Sequence, residues 1–124
     1  MTPFGERLRE LRARHGVTQR EMAQAIGVTP AYLSALEHGK RGKPSWTLLQ
    51  KIMGYFNVIW DDAEALFELA EQSHPRIKID TGGLSPAAMR LVYKLSENVH
   101  RLPAETLAEM EVVLDASIKS ARKL

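Results

Sequence analysis

The 124-residue sequence contains no cysteine, which excludes a disulfide framework and a thiolate metal site. It also contains no long hydrophobic run, since no stretch reaches the ~18 apolar residues that a membrane-spanning helix requires. Its first residues, MTPFGERLRELR, carry charges throughout and lack the apolar segment of a secretory signal. We therefore expect a cytoplasmic protein that has no membrane partner.

Residues that could carry catalysis or hold a metal show no supporting pattern either. The four histidines are scattered, and none stands at metal-ligand spacing from a second histidine or a carboxylate. The segment GKRGK at positions 39–43 does not follow the order of a Walker phosphate-binding loop, and no serine lies in a nucleophile elbow. The sequence therefore predicts no enzyme activity, no cofactor, no metal and no small-molecule ligand.

The length of the chain allows one modest domain, or a small domain followed by an oligomerisation extension. The small net charge of +2 conceals an uneven distribution along the sequence. Residues 1–57 carry nine Lys/Arg against four Asp/Glu, a formal charge of +5, whereas residues 58–83 carry −4 and residues 84–124 carry +1. A polyanionic partner would therefore bind the lysines and arginines of the N-terminal half of the chain.

One stretch, TQREMAQAIGVTPAYLSALEHG, contains two helix starts and a helix stop at close spacing. Thr18 and Glu21 form a Thr-x-x-Glu capping box, which predicts that a helix begins just after Thr18. Gly27 can adopt the left-handed conformation that ends this helix, and Thr29 and Pro30 predict the cap and first residue of a second helix. Two helices joined by so short a turn are typical of a helix-turn-helix, whose second helix enters the major groove of DNA.

This stretch resembles the phage-repressor and Cro-like (XRE-type) helix-turn-helix proteins of bacteria, and the resemblance extends over about residues 4–67. The matching residues are Gln19, Ala23, Gly27, Val28, Thr29, Leu33, Ser34, Leu36, Glu37 and Gly39. The resemblance implies a five-helix, lambda-repressor-like DNA-binding domain. It also implies that Gln19 braces a contact with the DNA backbone, and that the basic loop after the motif runs beside that backbone.

Helical periodicity on either side of the motif predicts three more helices in the N-terminal part of the chain. The first begins after Thr2 and ends near His15, the next begins after Ser45, and the last begins near Asp61 or Asp62. Four arginines are expected on the exposed faces of the first helix: Arg7, Arg9, Arg12 and Arg14. Aromatic residues at helical spacing usually belong to the core, and we expect this of Trp46, Trp60 and Phe67.

The C-terminal part of the chain begins with a break in the helical pattern, where Ile77 and Ile79 alternate with polar residues. This segment is either an extended linker or a short strand that pairs with its copy in a dimer. Two amphipathic helices follow, after Ser85 and after Pro103, and they predict a helical hairpin whose apolar sides need burial against a second subunit. The predicted all-α architecture is a DNA-binding domain at 1–73, a linker or strand at 74–84 and a helical dimerisation extension at 85–124.

Twelve residues are predicted to contact DNA. At the start of the second motif helix, Pro30, Ala31 and Ala35 offer only apolar contact, most simply to thymine methyl groups, while Tyr32 and Ser34 offer hydrogen-bonding groups. The lysines and arginine of the following loop are candidates for phosphate contact. The full set is Gln19, Arg20, Thr29, Pro30, Ala31, Tyr32, Ser34, Ala35, His38, Lys40, Arg41 and Lys43. Because few of these can read bases directly, part of the specificity is expected to come from DNA shape.

These features predict a sequence-specific regulator of transcription that binds double-stranded DNA in the nucleoid, most simply a repressor that occupies a promoter. A two-fold homodimer would place two such helices about 34 Å apart, so the operator is expected to be an inverted repeat. Two alternatives stay open. The chain could be a DNA-binding antitoxin whose C-terminal half neutralises a toxin, or a helical bundle that serves protein interaction without DNA.

Overall fold

The computed structural model describes residues 1–122, and these residues form helices and turns without any β-strand. The helices are α1 (Pro3–His15), α2 (Gln19–Ile26), α3 (Pro30–Glu37), α4 (Trp46–Tyr55), α5 (Trp60–Gln72), α6 (Pro86–Asn98) and α7 (Ala104–Arg122), with a 3-10 turn at Val99–Arg101. The all-α prediction is therefore confirmed. The last residues of the predicted final helix, Lys123 and Leu124, lie outside the described residues. The chain divides into two compact units, Met1–Lys78 and Ile79–Leu124.

The helix starts predicted from hydroxyl side chains are confirmed. Five side chains cap a helix by accepting a hydrogen bond from the backbone N–H three residues ahead: Thr2, Thr18, Thr29, Ser45 and Ser85. Glu21 completes the capping box, because its carboxylate accepts a hydrogen bond from the backbone N–H of Thr18. Gly16 and Gly27 follow α1 and α2 in the left-handed conformation. Short-range signals therefore determine the bounds of the first two helices and the start of α3.

One apolar core joins α1 to α5 within the first unit. Leu8, Met22, Leu33 and Ile52 come from α1, α2, α3 and α4 respectively, and each has an exposed fraction of 0%. Leu66 contributes the corresponding buried side chain of α5. α2 packs against both α3 and α4, and α1 packs against both α3 and α5. The two helices of the motif, α2 and α3, therefore share one hydrophobic core with α1, α4 and α5.

Three aromatic residues that were predicted to be buried lie on the surface. Trp46 is 58% exposed, Trp60 is 84% exposed and Phe67 is 40% exposed. Trp46 is the first residue of α4 and precedes the buried residues of that helix. Its ring packs edge-on against Phe67, with the ring centroids 5.8 Å apart. Trp60 begins α5 with a φ of +54°, a left-handed conformation that is rare for a large side chain. Both tryptophans stand at helix starts, where helical periodicity does not determine burial.

The segment that joins the two units contains no strand. Ile77 and Ile79 are exposed, and residues 74–84 make no strand ladder within the single chain. Pairing of this segment with its copy in a dimer stays a prediction. The second unit contains α6 and α7, which are not closely packed along their lengths, and none of residues 79–122 is buried. Among the seven α-helices described, none is both long and apolar enough to cross a lipid bilayer.

Candidate nucleic-acid interface

The first turn of α3 presents uncharged side chains to solvent. The Thr29 hydroxyl accepts a hydrogen bond from the Tyr32 backbone N–H at 3.0 Å, and Pro30 occupies the first helical position. Thr29, Pro30 and Ala31 are exposed, and Tyr32 is half-buried. No acidic residue lies in this turn, so no side chain of the turn itself neutralises the partial positive charge of the helix start.

The opposite side of α3 is buried against its neighbours. Leu33 and Leu36 are at most 1% exposed. Ala23 of α2 is completely buried, and α2 packs directly on α3. A side chain no larger than a methyl group allows the two helices to approach closely at this point. The exposed and buried sides of α3 therefore differ sharply in chemistry.

A buried ion pair fixes the C-terminal end of α3. Glu37 is the last residue of this helix and is 1% exposed, and its carboxylate accepts hydrogen bonds from both terminal nitrogens of the Arg12 guanidinium on α1. Arg12 is 8% exposed, so the prediction that it lies on an exposed face of α1 was wrong. It follows Leu11 and lies one turn after Leu8, which places it on the buried side of the helix. Because a buried charge is tolerated only beside its partner, the pair constrains α1 and α3 relative to each other.

Gln19 connects α2 to the same ion pair. Its side-chain amide donates a hydrogen bond to Oε1 of Glu37 at 2.8 Å, and the residue is half-buried. One N–H of the amide is therefore committed to Glu37, while the residue keeps part of its surface accessible. Three helices thus meet at the Glu37 carboxylate, which makes Gln19 a link between the buried network and the exterior.

The backbone at the end of α3 is anchored as well. The backbone N–H and the hydroxyl of Thr2 both donate hydrogen bonds to the Glu37 carbonyl oxygen, each at 3.0 Å. Gly5 lies so near that a Cβ atom added to it would stand 2.1 Å from the same oxygen. The close approach of α1 to α3 therefore requires glycine at position 5. Sequence reasoning missed this role, because a lone glycine inside a helix carries no signal of what lies beside it.

The loop after α3 brings a cation onto this helix. The Arg41 guanidinium carbon lies 5.6 Å from the centroid of the Tyr32 ring, within the range of a cation–π contact. Nδ1 of His38 lies 2.8 Å from the Ser34 carbonyl oxygen, and the backbone N–H of Lys40 donates to the carbonyl of Ala35 at 2.9 Å. The loop therefore folds back on α3, and Arg41 lies beside Tyr32, one of the predicted base-contacting residues.

Lys43 is held by a different helix. Its ammonium group contacts both carboxylate oxygens of Glu71 on α5, at 2.9 and 3.1 Å. Both side chains are about half exposed, so water screens the pair. This contact was missed, since the two residues lie 28 positions apart and no local pattern joins them. Of the three loop cations predicted to bind phosphate, Lys43 is the one that has an acidic partner among residues 1–122.

The twelve residues predicted to contact DNA are all at least partly accessible. Eight of them are exposed: Arg20, Thr29, Pro30, Ala31, His38, Lys40, Arg41 and Lys43. Four are half-buried: Gln19, Tyr32, Ser34 and Ala35. Within residues 1–122, no cluster of three or more His, Asp or Glu side chains could hold a metal ion. The arrangement offers cations, hydroxyl groups and an open helix start, which together suit contact with a nucleic acid.

Comparison with known proteins identifies related sequences for the same part of the chain. The chain is similar to the uncharacterized HTH-type transcriptional regulator RghRB of Bacillus subtilis, with 35% identity over 65 residues, which are 52% of this chain and 47% of that protein. It is 42% identical over 64 residues to an uncharacterized HTH-type transcriptional regulator of Archaeoglobus fulgidus, covering 47% of this chain and 90% of the relative. It is 40% identical over 52 residues to the HTH-type transcriptional repressor RghR of Bacillus subtilis, covering 42% of this chain and 38% of the relative.

The chain spans about half the length, or less, of the two Bacillus relatives. No solved structure matches it. Residues 3–66 match the family described as Helix-turn-helix domain. This segment is more than half of the chain, and it contains α1 to α4 and the first part of α5. The protein therefore belongs to the helix-turn-helix domain family.

Proposed function

We propose that this protein regulates transcription by inserting the start of α3 into the major groove of double-stranded DNA. The main observation in support of this proposal is that the two ends of α3 differ in burial and in contacts. Its first residues are exposed and uncharged, whereas its last residue, Glu37, is buried and bound by Arg12 and Gln19. A helix that reads base edges must be accessible at one end and firmly oriented at the other. Family membership and the printed names of the relatives support the same function.

Base contacts in this proposal come from the exposed side of α3. The Tyr32 and Ser34 hydroxyl groups can each donate to or accept from a base edge or a phosphate. Pro30, Ala31 and Ala35 make apolar contacts, for which the thymine methyl group is the matching feature of the major groove. The number of direct hydrogen bonds is therefore small, and the proposal assigns part of the specificity to DNA shape.

Phosphate contacts in this proposal come from Arg20, Lys40 and Arg41. The Arg41 guanidinium is already positioned by the Tyr32 ring, so less side-chain freedom is lost when it meets a phosphate. Lys43 reaches a phosphate after leaving Glu71, and giving up such an exposed pair costs roughly 1 kcal/mol or less. Among the loop cations, Arg41 should therefore contribute most to the affinity for DNA.

The proposed mode of action is repression by a homodimer. Two copies related by a two-fold axis would place their α3 helices about 34 Å apart on one side of the duplex, on an inverted repeat. Binding by two linked domains would also raise the affinity above that of either domain alone. One relative carries the printed name transcriptional repressor, which favours repression over activation.

The proposal is tested by gel shift with genomic fragments at ~0.15 M salt, followed by mapping of bound sites in cells with and without the gene. The expected result is a small set of retarded fragments that share an inverted repeat, and genes beside these sites should rise in expression when the gene is deleted. Tyr32→Ala should change the ranking of the fragments. Lys51→Ala is the matched control, because it alters an exposed residue of α4 outside the proposed interface. Equal retardation of every fragment, or of none, would contradict sequence-specific binding.

A further inference from the structure

A surface that combines exposed aromatic and acidic side chains lies on α5 and the start of α4. Phe67 of α5 and Trp46 of α4 are exposed, and their rings meet edge-on with the centroids 5.8 Å apart. Successive residues of a helix are turned by about 100°, so Glu64, Glu68 and Glu71 project within one sector of about 100° that also contains Phe67. All three glutamates are exposed. These five residues are called the α5 surface below.

Every charged side chain of α5 is acidic. The helix contains Asp61, Asp62, Glu64, Glu68 and Glu71, and it contains no lysine or arginine. The two aspartates lie in the first turn, where the helix dipole favours negative charge. The glutamates lie beyond that turn, and Glu64 and Glu68 repel each other as like charges four positions apart. This placement opposes the stability of the helix itself, which indicates that a partner of opposite charge compensates for it.

One end of the α5 surface already binds a cation of the same chain. The Lys43 ammonium group lies 2.9 and 3.1 Å from the two carboxylate oxygens of Glu71. Within the described part of the chain, no lysine or arginine forms an ion pair with Glu64 or Glu68. Two carboxylates beside an exposed aromatic pair are therefore accessible to cations of another molecule.

We propose that the α5 surface binds a positively charged segment of another protein, with arginines as the main contact residues. A guanidinium group donates two parallel hydrogen bonds to a carboxylate, and it also stacks on an exposed indole such as that of Trp46. Arginine is therefore the side chain that matches both parts of the surface. Nucleic acid does not fit, because the glutamates repel phosphates. A second copy does not fit either, because a two-fold contact would bring the glutamates of both chains together.

The first test is calorimetric titration of the full chain, without DNA, with alanine-based helical peptides of about 16 residues. The peptides are identical except that one face carries arginine, lysine or glutamate. The arginine peptide should bind with a dissociation constant on the order of 100 μM, and the lysine peptide about threefold more weakly. The glutamate peptide should not bind measurably. Absence of binding by the arginine peptide at about 1 mM would overturn the proposal, and equal affinity for the lysine peptide would overturn the assignment to arginine.

The second test reverses the charge of the α5 surface. Glu64→Lys/Glu68→Lys should bind the arginine peptide at least about tenfold more weakly and should gain binding of the glutamate peptide. Glu105→Lys/Glu109→Lys is the matched control, because it makes the same charge change at exposed positions four residues apart on α7. The control should stay within about twofold of the unaltered chain with each peptide. If both variants changed equally, net charge alone would explain the result and the proposal would be overturned.

The third test concerns the aromatic part of the surface. Trp46→Ala should weaken binding of the arginine peptide about threefold or more and should affect the lysine peptide less, because a planar guanidinium loses its stacking partner. Tyr93→Ala is the matched control, since it removes an exposed aromatic ring from α6 in the other unit. It should leave both affinities unchanged. If Trp46→Ala also left the affinity for the arginine peptide unchanged, the place of Trp46 in the contact would be overturned.

Analytical ultracentrifugation distinguishes a protein partner from a second copy of the chain. Glu64→Lys/Glu68→Lys should leave the oligomeric state unchanged, because the α5 surface is not used between copies. A changed oligomeric state would assign this surface to self-association and overturn the proposal. The inference goes beyond the proposed function, and none of its measurements contains DNA. A chain that retards no genomic fragment but binds the arginine peptide through Glu64 and Glu68 would overturn only the DNA-binding proposal.

Discussion

Replacement of Arg12 by leucine should remove much of the stability of the first unit. The guanidinium is 8% exposed and compensates the carboxylate of Glu37, which is 1% exposed. In the variant, the Glu37 carboxylate would keep only the hydrogen bond from the Gln19 amide at 2.8 Å. Removal of one partner from a buried ion pair costs about 3–5 kcal/mol. Since a small domain loses roughly 4–8 °C of Tm per kcal/mol, the midpoint should fall by at least about 12 °C.

The assay is thermal and urea unfolding followed by circular dichroism at 222 nm, with a double-mutant cycle on the pair. The cycle consists of Arg12→Leu, Glu37→Leu and Arg12→Leu/Glu37→Leu. The double variant removes both charges and replaces them with apolar atoms, so it should recover most of the stability that Arg12→Leu loses. Specific DNA affinity should stay reduced in this double variant. The reason is that Gln19 loses its partner and α3 loses the side-chain contacts that join Glu37 to α1 and α2. Stability and DNA affinity should therefore respond differently to the same pair of substitutions.

Arg9→Leu is the control, because Arg9 lies on the same helix and is exposed. It should change stability by no more than about 0.5 kcal/mol. If Arg12→Leu also cost less than about 1 kcal/mol, as the loss of an exposed ion pair does, the reasoning from burial would be refuted.

Further predictions concern the close helix contact and the DNA surface. Gly5→Ala should destabilise the first unit by about 1–3 kcal/mol or more, because the new Cβ would meet the Glu37 carbonyl oxygen; urea unfolding measures this. Gly54→Ala should instead stabilise it by about 0.5–1 kcal/mol, since the site is helical and a Cβ there meets nothing within 4 Å. Arg41→Ala should weaken binding to all DNA sequences and lower the slope of log affinity against log salt by about 1, whereas an unchanged slope would exclude a phosphate contact. Tyr32→Ala should alter preference among operators, and an equal loss on every DNA would assign Tyr32 to the backbone instead.

The sequence was sufficient to predict those structural features that depend on residues close together in the chain. Helix starts at Thr18, Thr29 and Ser45 follow from side chains that reach an amide three residues ahead, so a short window contains the whole interaction. The left-handed stop at Gly27 is equally local. The accessible start of α3 follows from these two facts, and the position of the candidate interface was therefore predictable.

Interactions between distant parts of the chain were not predictable in the same way. The Arg12–Glu37 pair joins residues 25 positions apart. Because α1 contains several arginines, nothing in the local sequence distinguishes Arg12 from the exposed ones. Only its position one turn after Leu8 gave a signal. The Lys43–Glu71 contact had no comparable signal, because both residues belong to charged surface segments. The cation over Tyr32 likewise depends on how the loop folds back, which no spacing rule specifies.

The surface position of both tryptophans has a practical consequence for spectroscopy. The indole of Trp60 is 84% exposed in the folded chain, so its emission should already resemble that of an unfolded protein, and iodide should quench it readily. Trp46 keeps one edge against Phe67 and should be quenched less. The change in intrinsic fluorescence on unfolding will therefore be smaller than the loss of the core would suggest. A protein or peptide that covers Trp60 should shift the emission maximum to shorter wavelength.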